Sequence, residues 1–170
     1  MRKLIKTLVA LCGVFLMGTA SASAQKFGYV DVQEIMMQMP GLDSVQTKLQ
    51  AFYQDLMSRL EVMQVEQNKK FDEYQKSAST LSEAVKKDKE RELAGLGQRI
   101  QEFQQQAQLD LQAKEQELSQ PLLDKIDSAI EKVSKANGVS AVFNVNVLEY
   151  FDKSVMVDMG PLVKAELKIK

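Results

Sequence analysis

"RIQEFQQQAQLDLQ", residues 99–112, is built from good helix formers, with glutamine at six of its fourteen positions. Ile100, Phe103, Ala107 and Leu111 recur three or four apart, so a helix here carries one narrow apolar stripe and is polar around the rest. A stripe that thin buries against a single partner helix. The partner lies upstream: Leu42, Val45, Leu49, Phe52, Leu56, Leu60 and Met63, then Gln67, Phe71, Tyr74, Ala78 and Leu81, step along the chain by three or four. Eleven steps over 39 residues average about 3.55 residues, between the 3.5 of a coiled coil and the 3.6 of a straight helix. No proline interrupts this run, and at 1.5 Å per residue it reaches roughly 60 Å.

The returning ladder is Leu93, Leu96, Ile100, Phe103, Ala107, Leu111, Lys114 and Leu118. Between the two lies "KSASTLSEAV", residues 76–85, where small polar residues loosen the helix and Thr80 with Glu83 has capping-box spacing. Two long ladders joined by a tight polar turn predict an antiparallel helical hairpin over residues 42–120; the alternative is one uninterrupted rod. Gly95 and Gly97 interrupt the returning helix at roughly 1 kcal/mol each relative to alanine. They are read either as an arm hinge or as sites of close packing.

The flanks have a different texture. "KFGYVDV", residues 26–32, is aromatic and β-branched, and "VSAVFNVNV", residues 139–147, alternates so that Val139, Ala141, Phe143, Val145 and Val147 fall on one face. Both predict strands, with a third at "LEYF", residues 148–151, after a turn near 144–146. Pro40-Gly41 marks the way out to the first long helix. Pro121 is expected to kink or restart the helix on the way back, and Asn137-Gly138 to stop it.

The expected architecture is therefore α+β and discontinuous: a small β-rich body from residues 25–41 and 121–170, with the arm inserted between. Phe27, Tyr29, Val139, Ala141, Phe143 and Val145 are the expected body core or oligomer contact. A 67-residue body with no disulfide sits near the limit of independent stability, and oligomerisation is the expected remedy.

The N-terminus reads as a cleaved leader. Arg2, Lys3 and Lys6 precede an apolar run from about Thr7 to Gly18, and Ala22-Ser23-Ala24 follows, predicting cleavage after Ala24. The run is shorter than the ~20 residues a bilayer span needs, so no membrane span is expected in the mature chain. Cys12 leaves with the leader.

What remains has no cysteine, histidine or tryptophan and carries 19 basic against 23 acidic residues, a net charge of −4. That balance argues against nucleic acid as a partner. Without His or Cys there is no ordinary proton switch near neutrality, no thiol nucleophile and no nitrogen/sulfur metal site, and no phosphate-cradling glycine loop occurs. Catalysis, cofactors and metals are not expected; the pair Lys76-Ser77 is no more than chance supplies.

In order and organisation the chain resembles the Skp/OmpH family of periplasmic chaperones. The resemblance is carried by the leader, "FGYVDVQEIM", the long polar hairpin, "ANGVSAVFNVNVLEYF", and "VMVDMGPLVKAEL" at residues 155–167, where Asp158 is the expected N-cap of a last helix. It implies a periplasmic homotrimer shaped like a jellyfish, whose three arms enclose a cavity and hold unfolded outer-membrane proteins without ATP until insertion. The chain departs from the basic arms of the best-known members. Residues 50–120 carry 10 basic and 13 acidic residues, net −3, which tells against attraction to acidic clients or lipopolysaccharide.

On the arm, Val62, Val65 and Leu109 point away from the seam and Met57 sits at its edge; these four are the expected client contacts. Seven methionines remain in the mature chain, suited either to promiscuous binding or, more commonly, to core filling. The charge run "KKDKERE", residues 86–92, is expected to be a solvated helix face. The competing function is an extracytoplasmic coiled-coil adaptor docking on one folded envelope partner. A featureless glutamine-rich outer face favours the holdase.

Overall fold

The computed structural model describes residues 25–169; the expected leader and its cleavage point lie outside the described residues. The elements are β1 (Lys26–Val30), α1 (Val32–Gln38), α2 (Leu42–Ser77), α3 (Glu83–Asn137), β2 (Val139–Asn144), β3 (Val157–Asp158) and α4 (Gly160–Leu167), with a 3-10 turn at Val145–Val147. Two helices dominate: α2 has 36 residues and α3 has 55, or about 54 and 80 Å of helix.

Local chemistry explains their ends. Asp31 caps α1 by accepting from the Glu34 backbone N–H at 2.9 Å. Gly41, at φ 103°, turns the chain after Pro40 into α2, a left-handed conformation glycine adopts without strain. Gly138, at φ 66°, stops α3 as Asn137-Gly138 predicts. The turn between the long helices falls at 78–82, but its cap is Ser82, whose hydroxyl accepts from the Val85 N–H at 3.5 Å. The expected Thr80–Glu83 box is corrected: the Thr80 hydroxyl donates backward to the Ser77 carbonyl at 2.8 Å, closing the end of α2.

Helix α3 does not restart at Pro121, which lies inside it. An interior proline costs about 3 kcal/mol. Apolar burial immediately beyond it, from Leu122 through Ile126, Ala129 and Val133, holds the helix together across the defect. These four residues form the body core with Val30, Ile35, Met39, Val139, Met159 and Val163. The lower ends of the ladder, Leu42 and Val45, pack against the same cluster.

The sheet is three-stranded and parallel, in the order β2-β1-β3. Lys26 pairs with Val139 but Phe27 pairs with Ala141, so Ser140 is an extra residue in β2. A bulge of one residue flips every side chain after it to the other face. This corrects the expected single face. Val139 and Val142 turn to the helices, while Ala141 and Phe143 join Phe27 and Tyr29 on the opposite side. The strand expected to continue to residue 147 ends at Asn144, whose side chain accepts from the Asn146 N–H at 3.2 Å and starts the 3-10 turn that holds Val145. No strand forms at 148–151; the third is Val157–Asp158. Asp158 is not the N-cap of α4. That position is Met159, and the Asp158 carboxylate accepts from the Gly160 N–H one residue further on, at 2.9 Å.

Gly28 marks the tightest packing between sheet and helices. A Cβ there would lie 2.7 Å from Met159 Cγ and 3.3 Å from Val139 Cγ1, and the Met159 side chain is fully buried. Gly28→Ala is therefore expected to destabilise the body by about 1–3 kcal/mol through overpacking. Denaturant unfolding followed by the near-ultraviolet signal of the tyrosines would read it; unchanged stability would mean Met159 has room to move.

Candidate functional site

A few contacts between α2 and α3 fix how the long helices meet. Gly41 lies beside Leu122, Gly97 beside the Gln67 amide, Lys70 bonds Glu92, and the Tyr74 hydroxyl donates to Glu90 at 2.7 Å. As α2 is followed outward, its contacts on α3 move to lower residue numbers. Leu56, Leu96 and Ile100 are buried between the two, and most other ladder residues are half-buried; Phe71 is exposed.

The seam is open along one stretch. Leu56 and Leu60 of α2 face Phe103, Ala107 and Leu111 of α3 across a groove of about 360 Å³, with Tyr53 and Met57 on one rim and Gln104 and Gln108 on the other. The cause is Ala107: it stands on the ladder where its neighbours are Phe103 and Leu111, and its methyl group cannot reach across.

Of the four expected contact residues, Met57 is 39% exposed and lines this groove. Val62, Val65 and Leu109 are 65%, 59% and 58% exposed. At ~100° per residue, Val62 and Val65 lie on the far side of α2 and Leu109 on the far side of α3, so the four do not form one patch. Sequence reading found Met57 but missed Tyr53, Gln104 and Gln108, although the step from Phe103 to a lone alanine at 107 was the available signal. The two glycines lie inside an unbroken helix: a Cβ at Gly95 would touch nothing within 4 Å, and one at Gly97 would meet the flexible end of Gln67 at 3.2 Å.

In the body, only Val139 of the six expected core residues joins the buried cluster. Phe27 and Phe143 pair at 6.2 Å between ring centroids, and Tyr29 packs on Phe151 at 4.9 Å. These rings form the outer face of the sheet, where Phe27 and Phe143 are each 40% exposed. Tyr29 is pushed above the usual phenol range by desolvation, then by the charge and hydrogen bond of Asp158. Among the described residues no side chains are grouped to hold a metal, and no helix is long and apolar enough to cross a membrane.

Near the arm tip, the Glu92 carboxyl is held below the usual carboxylate range by its hydrogen bond and charge pairing with Lys70, and Lys70 is raised in return. The depressed carboxyl contributes stability above its unfolded pKa, and that contribution is lost as pH falls through the lower folded value. Glu92→Gln should therefore loosen the tip at pH 7, while parent and variant should converge as pH falls below the ordinary glutamate range. Amide exchange around residues 68–76 would measure the difference; an equal difference at both pH values would show that charge pairing is not the cause.

Comparison with known proteins gives one consistent answer. A family model described as outer membrane protein (OmpH-like) matches residues 26–167. The chain is similar to the chaperone protein Skp of Photorhabdus luminescens, with 28% identity over 88% of this chain and 90% of that one. It is also similar to the Skp of Pectobacterium atrosepticum, with 24% identity over 94% and 100%. A crystal structure from Caulobacter crescentus CB15, described as OmpH-like, superposes with a TM-score of 0.65 at 14% identity, covering 90% of this chain and 89% of that one.

Proposed function

The chain belongs to the OmpH-like family, and from that premise we propose that it is a periplasmic holdase: a non-catalytic, ATP-independent chaperone that keeps unfolded outer-membrane β-barrel proteins soluble until insertion. In this reading α2 and α3 form an antiparallel hairpin arm. Three copies associate through the small body, and the arms surround the client. Residues 1–24 would direct export and be removed as the chain crosses the membrane.

The observation that carries the reading is the arm surface. Two long helices spend most of their one apolar stripe on each other, yet Met57, Val62, Val65 and Leu109, with Tyr53, Phe71 and Val85, remain exposed on several sides of a largely polar, glutamine-rich shaft. Spread apolar contacts suit a flexible client that can be touched in many places; a folded partner would call for one contiguous patch. Self-association is supported by the outer face of the sheet, where Phe27 and Phe143 stand next to exposed Tyr150 and Val155. Covering that face in a neighbouring copy would add apolar burial to a body that has little of its own.

Changing Val62, Val65 and Leu109 together to serine is expected to leave helix content intact and to weaken suppression of aggregation of several unrelated unfolded barrels. Each contact is worth on the order of 1 kcal/mol, so single changes should do little. A parent protein that suppresses none of these clients, or that has the mass of a single chain in solution, would sink the reading; a fully active triple variant would move the client elsewhere on the arm.

Gly95 and Gly97 fit a hinge within this reading, letting the arm bend for clients of different size. Backbone amides at 93–99 should then exchange faster than those at 103–111 in the unbound protein. Equal protection would leave the glycines as a packing detail.

A further inference from the structure

The groove at Ala107 has a lining unlike the rest of the arm. Residues 50–120 include 23 charged side chains, yet none of the groove's lining residues is charged. Among the described residues its two glutamines are unengaged, as are Gln101, Gln105 and Gln112 nearby, but only Gln104 and Gln108 line the groove. Gln98, Gln106 and Gln120 donate to the carboxylates one turn on, Glu102, Asp110 and Asp124, at 2.7–2.8 Å. Gln104 and Gln108 have only amides one turn on, Gln108 and Gln112, and neither side chain makes a hydrogen bond among the described residues. The groove thus has an apolar floor and a rim of two unengaged amides, each able to donate and accept.

The spacing of those amides states what they fit. Four residues of helix rise about 6.0 Å. Two residues of extended chain advance about 6.6–6.8 Å and bring the backbone groups and side chains back to the same side. A segment lying extended along α3 can therefore offer backbone groups of residues i and i+2 to Gln104 and Gln108 while the side chains of i and i+2 both point to the floor. From Phe103 to Leu111 the floor runs about 12 Å, room for two such side chains. We propose that this groove selects extended segments with large apolar side chains at alternate positions, the period-two pattern of a membrane β-strand, with Gln104 and Gln108 holding the backbone. The proposal rests on the holdase reading and names what the arm recognises in its client. A helical segment fails here, because its apolar residues recur at three and four and its backbone groups are already bonded.

The test uses the protein's lack of tryptophan, which makes a peptide tryptophan a clean reporter. Two nine-residue peptides of identical composition are compared, one with Trp, Phe and Leu at alternate positions, the other with them contiguous. Wild-type protein is expected to bind the alternating peptide about fivefold more tightly, the equivalent of one good net hydrogen bond, and the peptide should shift the methyl resonance of Met57. Gln104→Ala with Gln108→Ala should erase the preference. Ala107→Leu, which fills the groove, should abolish the Met57 shift while helix content is retained.

Equal binding of the two peptides to the wild type, or no binding at millimolar peptide, overturns the proposal. So does an unchanged preference in the double glutamine variant, which stands as a test even where Ala107→Leu disturbs the seam. Suppression of barrel aggregation is measured in parallel. A wild type that suppresses aggregation but does not distinguish the peptides removes the groove and spares the holdase; one that distinguishes the peptides but suppresses nothing does the reverse.

Discussion

One helix carries both halves of the molecule. Its first part shares a seam with α2 and its last part supplies Leu122, Ile126, Ala129 and Val133 to the body core, with Pro121 between them. Everything else is arranged around that continuity. The sheet and the short helices α1 and α4 pack on its C-terminal third, and the outgoing helix α2 begins beside it where Gly41 meets Leu122. The interior proline, with a cost of about 3 kcal/mol, persists because both flanks are buried against something, so ending the helix there would expose more than the lost hydrogen bond is worth.

The body is less β-rich than its sequence suggests, and the reason is one residue. Alternation from Val139 to Val147 reads as a nine-residue strand with five side chains on one face. A bulge at Ser140 divides them, and Asn144 ends the strand by bonding its own downstream backbone. The consequence is two apolar faces instead of one. Val139 and Val142 close the core against the helices, while Ala141 and Phe143 face outward with Phe27. A period-two pattern cannot announce a bulge, since the residues on either side keep the same spacing in the chain. The same limit explains "LEYF": its apolar content reflects packing of Phe151 on Tyr29, a side-chain contact that needs no ladder hydrogen bonds.

Periodicity succeeded where burial is one-sided and regular. The ladder from Leu42 to Leu81 and its return from Leu93 to Leu118 mark the half-buried positions with one exposed exception, Phe71, and the glycine stops at 41 and 138 fall where the backbone needs a left-handed residue. It was blind to depth. Ala107 keeps the phase of the ladder and so passes as a seam residue, yet its side chain is too short to close the gap; phase says which way a residue points, and volume decides whether the space is filled. The groove is invisible to the first and evident from the second.

That distinction bears on how the proposed holdase would let go of a client without nucleotide. An arm with a wide, well-filled apolar face would hold a client with the affinity of a permanent interface, and no hydrolysis step would be available to break it. Thin seams prevent this by using the strong apolar positions internally. Isolated exposed side chains would add contacts worth on the order of 1 kcal/mol each, summing only while a client remains extended and can reach several at once. As a barrel strand pairs with its neighbours, its backbone groups and one face of its side chains are withdrawn together. Contacts on the arm would then be lost in groups, and release would be driven by the client's own folding.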